Sequence, residues 1–252
     1  MSGHSKWANI KHKKARTDEK KGKIFTKVAK EIIIAAREGG GDPEGNARLK
    51  AVIQKAKSVN MPNENIVRAI KRGTGEIGGS NIEEFAYEGY GPGGVALMVA
   101  IMTDNRNRTA ADIRHLFSKY GGNMGEAGCV SWMFKKKGLM TVSREELAMD
   151  AEDFMLLAIE AGAEDVREDS GVLEVITAPE DFEAVKENLE KEGIRFDSAE
   201  LSMVPENSVE VNDAETARKV LKLVDILEDH DDVQEVYANF SIPDDIMEKV
   251  QL

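Results

Sequence analysis

Residues 138–203 read GLMTVSREELAMDAEDFMLLAIEAGAEDVREDSGVLEVITAPEDFEAVKENLEKEGIRFDSAELSM. Residues 138–142 read as a strand, 151–161 as a helix, and Val166 marks a short strand. Residues 172–177 form the next strand, 179–192 a helix, and 194–203 hold one strand more. The order β-α-β-β-α-β is that of a ferredoxin-like domain. On the N-terminal side, 95–103 (VALMVAIMT) read as a buried strand, 106–120 as a helix starting near Asp104 or Asn105, and 129–134 (CVSWMF) as a second strand. On the C-terminal side come a strand at 209–211, a helix at 213–228, a strand at 233–240 and a short tail helix at 242–252. Neither flank completes a unit alone. The expected arrangement is a discontinuous domain, 81–135 plus 204–252, with 136–203 inserted into it. A plain succession of three domains fits the same periodicity.

The texture before residue 81 is different. GTGEIGGS (73–80) is a glycine-rich linker and marks a boundary. Upstream, Phe25, Val28, Ile32, Ile33, Ala35 and Ala36 make one face of a helix that starts near Ile24 and stops at Gly39-Gly40-Gly41. A second helix spans 44–58 with Leu49, Val52, Ile53 and Ala56 inward, and Arg48, Lys50, Lys55 and Lys57 on the wet side. A third carries Ile66, Val67, Ala69 and Ile70 and ends in Lys71-Arg72-Gly73, with Asn60 or Asn63 as its cap. The fold class is therefore α+β: an N-terminal three-helix domain within 1–80, then two ferredoxin-like α/β domains, one inserted in the other.

Charge is segregated along the chain. Residues 1–80 hold 18 Lys and Arg against 8 Asp and Glu, a net +10, and residues 81–252 hold 16 against 38, a net −22. The first thirty residues concentrate the excess: Lys6, Lys11, Lys13, Lys14, Arg16, Lys20, Lys21, Lys23, Lys27 and Lys30, with Trp7, His4 and His12 among them. Residues 1–22 lack helical periodicity and read as an arm that orders against a partner. Clustered lysines and arginines neutralise phosphates and release counterions, so the expected partner is a nucleic acid, DNA or ribosomal RNA. A solvated basic tail is the ordinary alternative. Trp7 stacks on a base or, more simply, anchors the arm to the bundle.

A second candidate contact is Asp104 to Thr109 (DNRNRT), where a strand meets a helix and Arg106 and Arg108 flank free backbone N–H groups. A capped helix start with both arginines paired to the acidic body is the equal alternative. Lys135-Lys136-Lys137 reads as a solvated turn. GYGPGG (89–94) matches G-x-G-x-x-G in form only: it precedes a strand, where a dinucleotide site must follow one. It is read as a turn of close backbones. GTGEIGGS lacks the G-K-[ST] ending of a phosphate loop. The strands lack the aromatic pattern of an RNA-recognition motif.

No catalytic constellation emerges, so the expectation is a protein that is not an enzyme and that needs no cofactor or metal. His4 and His12 are wrongly spaced for a metal, His115 is most simply structural, and Cys129 is most simply a buried thiol in a strand. A single cysteine suits a reducing cytoplasm. Nothing approaches the roughly 20 apolar residues of a membrane span, and no apolar signal core follows the basic start. No membrane partner and no small-molecule substrate are expected.

Long stretches resemble the YebC/PmpR family: GHSKWANIKHKKARTDEKKGKIFTK (3–27), NMPNENIVRAIKRGTGE (60–76), YEGYGPGGVALMV (87–99), TDNRNRTAADIRHLF (103–117), GGNMGEAGCVSWMF (121–134) and VYANFSIPDD (236–245). The resemblance covers essentially the whole chain. It implies a cytoplasmic α+β protein of three domains without known catalysis. It also implies one of two roles: a DNA-binding transcriptional regulator, or a translation factor acting at the ribosome on difficult stretches such as proline runs. A mitochondrial relative activates translation.

Overall fold

The computed structural model describes residues 18–79, 81–169 and 171–250. Three helices open it: α1 (Asp18–Gly39), α2 (Ala47–Ser58) and α3 (Asn63–Gly73). α1 is already helical at Asp18, before the expected start near Ile24. Asp18 and Glu19 suit a helix N-terminus, and Gly22 had masked the periodicity. α2 begins at Ala47 rather than Glu44 because Asn46 caps it. Its Oδ1 accepts the Leu49 N–H at 3.0 Å, while Nδ2 donates to the Ala35 and Gly40 carbonyls, each at 2.8 Å. One buried side chain thus closes two helix ends.

Neither Asn60 nor Asn63 caps α3. Asn60 takes a left-handed turn conformation (φ 60°), and Pro62 leads into the helix without a side-chain cap. α3 buries Ile66 and Ala69, but Val67 is 42% exposed, contrary to the expected apolar face. α1 and α3 touch at Gly73, where a Cβ would stand 2.5 Å from the Ile33 carbonyl oxygen and 2.7 Å from the Ala36 Cβ. Val28, Ile32, Ile34, Leu49 and Ala56 fill the bundle, and Ile82 and Met102 of the next domain join that core.

The following domain opens on a hairpin, β1 (Glu83–Tyr90) and β2 (Ala96–Thr103), then continues through α4 (Arg106–Lys119) and β3 (Asn123–Met124). β1 escaped the sequence reading because EEFAYEGY carries acids at its start and glycine near its end. Pairing holds it, in register from Glu83 opposite Thr103 to Tyr90 opposite Ala96. Within the 89–94 turn a Cβ on Gly89 would meet the Asn123 carbonyl oxygen at 2.5 Å, which is the expected close approach of backbones. CVSWMF is not a strand. The Glu88 carboxylate accepts the backbone N–H groups of Gly128, Val130 and Ser131 at 2.8, 2.7 and 2.7 Å. That curls the segment, and Ser131–Met133 forms a single 3-10 turn.

The next strand, β4 (Phe134–Ser143), starts the second sheet, so Lys135, Lys136 and Lys137 lie in a strand and not in a turn. It continues with α5 (Ala151–Glu160), β5 (Asp165–Asp169), β6 (Val172–Thr177), α6 (Phe182–Lys191) and β7 (Ser198–Pro205). The sheet order is β5-β6-β4-β7, antiparallel throughout, which is the ferredoxin-like arrangement. Met140, Phe154, Leu173, Val185 and Leu189 form its core.

The chain then returns through β8 (Val209–Glu210), α7 (Ala214–Glu228), β9 (Val233–Ala238), β10 (Phe240–Ser241) and α8 (Asp244–Val250). β9 pairs with β2, completing the first sheet in the order β3-β1-β2-β9, so the second sheet interrupts the first in sequence. β2 is buried on both faces, as its unbroken apolar run requires. Leu97, Val99 and Ile101 pack with Ile113, Phe117, Val220 and Val224 of α4 and α7, while Ala96 and Met98 meet Val130 and Phe134. No helix of the described residues is long and apolar enough to cross a membrane.

Candidate nucleic-acid interface

The lysines of α1 divide into two groups. Lys23, Lys27 and Lys30 share one face by helical spacing, and that face meets the C-terminal end of α7. Lys23 Nζ lies 2.8 Å from Asp229 Oδ2 and donates to the Asp229 carbonyl at 3.1 Å. Lys27 donates to the Glu228 carbonyl at 2.6 Å, and Lys30 to the Asp231 carbonyl at 2.8 Å. Cations belong at such an end, where carbonyls lack helical partners. The structure therefore puts Lys23, one of the clustered cations of the first thirty residues, against the acidic body. Lys20 and Lys21 fall on the first turns of α1, and their side chains lie outside the described residues. Lys6, Trp7, Lys11, His12, Lys13, Lys14 and Arg16 lie outside the described residues altogether.

Arg106 and Arg108 are brought to the same helix start. Asn105 caps α4, its Oδ1 accepting the Arg108 N–H at 3.0 Å. Arg106 reaches Glu83 at 3.3 Å and stacks over the Phe85 ring, 4.2 Å from its centroid. Arg108 binds Asp104 at 3.1 Å and Asp232 at 2.9 Å. Of the two sequence alternatives, this is the geometry of the capped start with paired arginines.

Asp232 is the centre of a wider network. It is 5% exposed, and its Oδ1 accepts Lys30 Nζ at 2.7 Å. Its Oδ2 accepts Arg108, the Thr109 hydroxyl at 2.8 Å and the Thr103 hydroxyl at 3.1 Å. Burial alone would raise this carboxyl. The hydrogen bonds from Lys30, Arg108 and Thr109 outweigh it and hold the group well below the ordinary carboxylate range. The cluster clamps α1 to the first sheet.

With these cations occupied, the basic side chains of the helical domain that meet no carboxylate among the described residues include Lys57 of α2 and a cluster on α3. Arg68, Lys71 and Arg72 are exposed, and none pairs with a carboxylate among the described residues. Arg68 and Lys71 line a groove of about 440 Å³ with Asn63, Glu64, Val67 and Ile77, Glu64 being its one acid. The sequence reading of this helix stops at its apolar residues and its end at Gly73. The available signal was the i, i+3, i+4 spacing of Arg68, Lys71 and Arg72, which places all three on the face opposite Ile66 and Ala69.

Other candidates hold no such surface. Cys129 sits half-buried in the turn organised by Glu88, where burial and then the Glu88 charge push its thiol up. His115 is exposed on α4. Among the described residues no three His, Cys, Asp or Glu side chains gather as metal ligands.

A helical domain with a basic face on α3, clamped to an acidic body built on two antiparallel four-stranded sheets, defines a three-part α+β protein. Its models in known families are the TACO1/YebC protein N-terminal domain, matching residues 5–76, and the TACO1/YebC second and third domain, matching 82–240. The chain belongs to the TACO1/YebC family. A protein of Halothermothrix orenii named "Probable transcriptional regulatory protein" is 63% identical, covering 99% of each chain. One of Moorella thermoacetica with the same name is 62% identical over the whole of both. The crystal structure of a conserved hypothetical protein from Aquifex aeolicus superimposes with a TM-score of 0.81 at 51% identity, covering 91% of this chain and 94% of that one.

Proposed function

We propose that this chain is a nucleic-acid-binding regulator of gene expression whose N-terminal third engages phosphates while most of its acidic surface faces away. The division of charge carries the reading: +10 over residues 1–80 against −22 beyond. In the structure α3 adds Arg68, Lys71 and Arg72 to the lysines of the arm. Duplex DNA is the first reading, supported by relatives named as transcriptional regulators. Ribosomal RNA, in a translation factor that relieves stalling, is the second. It is favoured by the absence of a groove-reading motif in the sequence, since lysines track a phosphate backbone without reading bases. The role is binding rather than catalysis, in keeping with a Cys129 thiol that its surroundings make a poor nucleophile.

Crosslinking in cells, followed by sequencing of both DNA and RNA, tests the proposal. Enrichment at promoters without ribosomal RNA supports the DNA reading, and the converse supports the RNA reading. Recovery of neither nucleic acid above background refutes both.

A further inference from the structure

Residues 81–252 hold only 16 Lys and Arg among 38 acids, yet four of those cations line one open cleft. Lys119, Arg218, Lys219 and Lys222 surround a volume of about 900 Å³ between the C-terminal end of α4, the glycine turn before β2, and α7. The only acid in the lining is Asp225. Helical geometry explains how the charges converge. Arg218, Lys219 and Lys222 lie on the wet face of α7, whose other face buries Ala217, Val220 and Val224. Lys119 ends α4, its Nζ 5.5 Å from the Tyr120 ring centroid.

Part of this charge has a partner within the molecule. Lys219 binds Glu215 at 2.7 Å, and Arg218 donates to the Lys249 carbonyl at 2.6 Å, holding α8. Lys119 and Lys222 pair with no carboxylate among the described residues, although acids outnumber bases more than two to one in this part of the chain. Like charges three and four residues apart destabilise a helix. Lys119 and Lys222 show no compensating contact with a carboxylate among the described residues. An anion in the cleft relieves the repulsion. The flanking chemistry is specific as well. Tyr120 offers an aromatic ring beside Lys119, and Gly93 and Gly121 leave backbone walls without side chains.

We infer that this cleft binds nucleic-acid phosphates, a second contact separate from the N-terminal third. The inference rests on nucleic acid being the partner. It places one segment of the strand or duplex against α3 and the arm, and another against α4 and α7, with Tyr120 available to stack on a sugar or base.

The test compares the full chain with a Lys119→Gln/Lys222→Gln variant and, separately, with Arg68→Gln/Lys71→Gln on α3. Fluorescence polarisation with labelled single-stranded RNA and duplex DNA is read at several salt concentrations, and calorimetry is run with inorganic pyrophosphate. The cleft variant is expected to bind five- to tenfold more weakly, with a salt slope lower by roughly 1.4 on single strands and about 1.8 on duplex. Thermal stability is expected to hold or rise slightly, since neither side chain is in the core and the Lys222 change removes a like-charge pair on α7. An unchanged affinity and slope in the cleft variant, while the α3 variant loses affinity, overturns the cleft and leaves the proposed function standing. No loss in either variant overturns both. Pyrophosphate binding that the cleft variant abolishes, without any change on polynucleotides, makes the cleft a small-anion site and overturns its assignment to nucleic acid.

Discussion

Replacing Asp232 by Asn removes the charge at the clamp between α1 and the first sheet while keeping its shape. The carboxylate is almost fully buried and accepts from two cations and two hydroxyls. Breaking a fully buried ion pair costs about 3–5 kcal/mol. Here the partners soften that figure: the Lys30 side chain is 16% exposed and that of Arg108 is 49% exposed, so each rehydrates in part. About 2–3 kcal/mol is the expected loss. For a chain of this size that corresponds to a fall of roughly 4–10 °C in melting temperature. The pH dependence has a definite sign. The folded carboxyl titrates below its unfolded value of about 3.9, so its contribution is present above that pH and disappears as pH falls further. Circular dichroism melts of wild type and variant at pH 7 and pH 3 measure both effects. Limited proteolysis reports whether α1 separates from the sheet. A variant that melts within 1 °C of wild type at pH 7, with unchanged cleavage, refutes the clamp.

Three further outcomes follow from particular contacts. Gly73→Ala forces a methyl group into the Ile33 carbonyl and the Ala36 side chain at the α1–α3 crossing. It should cost about 2–3 kcal/mol, read as a lowered denaturant midpoint. Glu235 is half-buried on β9 and accepts the Tyr237 hydroxyl at 3.1 Å. Burial and then Glu200 push its carboxyl up to about 7, against the pull of Lys55. A raised acid favours the folded state at low pH, and that contribution is lost as pH rises from about 4.3 through 7. Glu235→Gln should therefore be more stable than wild type by about 1–3 kcal/mol at pH 8 and show no gain at pH 4, as thermal melts at the two pH values would record. Glu88→Gln weakens the carboxylate that gathers the Gly128, Val130 and Ser131 amides. Faster modification of Cys129 by a thiol reagent at pH 8 is expected, and an unchanged rate would show that the turn holds without that charge.

Legibility in the sequence followed how local each signal was. The order of strands and helices within residues 138–203 was legible because most of them carry their own periodicity and turn residues, whereas the start of β4 at Phe134 was hidden by Lys135, Lys136 and Lys137. β1 was not legible, because its acids and glycine hide a strand that exists through pairing with β2. The curl at 129–134 was missed for a related reason: CVSWMF has strand composition, and a carboxylate forty residues upstream overrides it. The basic run at the start was visible at once, but its division was not. That Lys23, Lys27 and Lys30 turn inward onto α7 depends on residues some two hundred positions away. The same holds for Arg108, whose partner Asp232 lies in the returning segment. Once those cations are assigned inward, the exposed surface shifts to Arg68, Lys71 and Arg72. Their spacing was in the sequence, but only the fold shows that none of them pairs with a carboxylate among the described residues.

Binding measured against salt concentration, on the full chain and on Arg68→Gln/Lys71→Gln/Arg72→Gln, tests the placement of the nucleic-acid contact on the N-terminal third most directly. At least a tenfold loss of affinity is predicted. The salt slope should fall by roughly 2 on single strands and nearly 3 on duplex, with no change in melting temperature. Affinity and slope equal to those of the unaltered chain would contradict it.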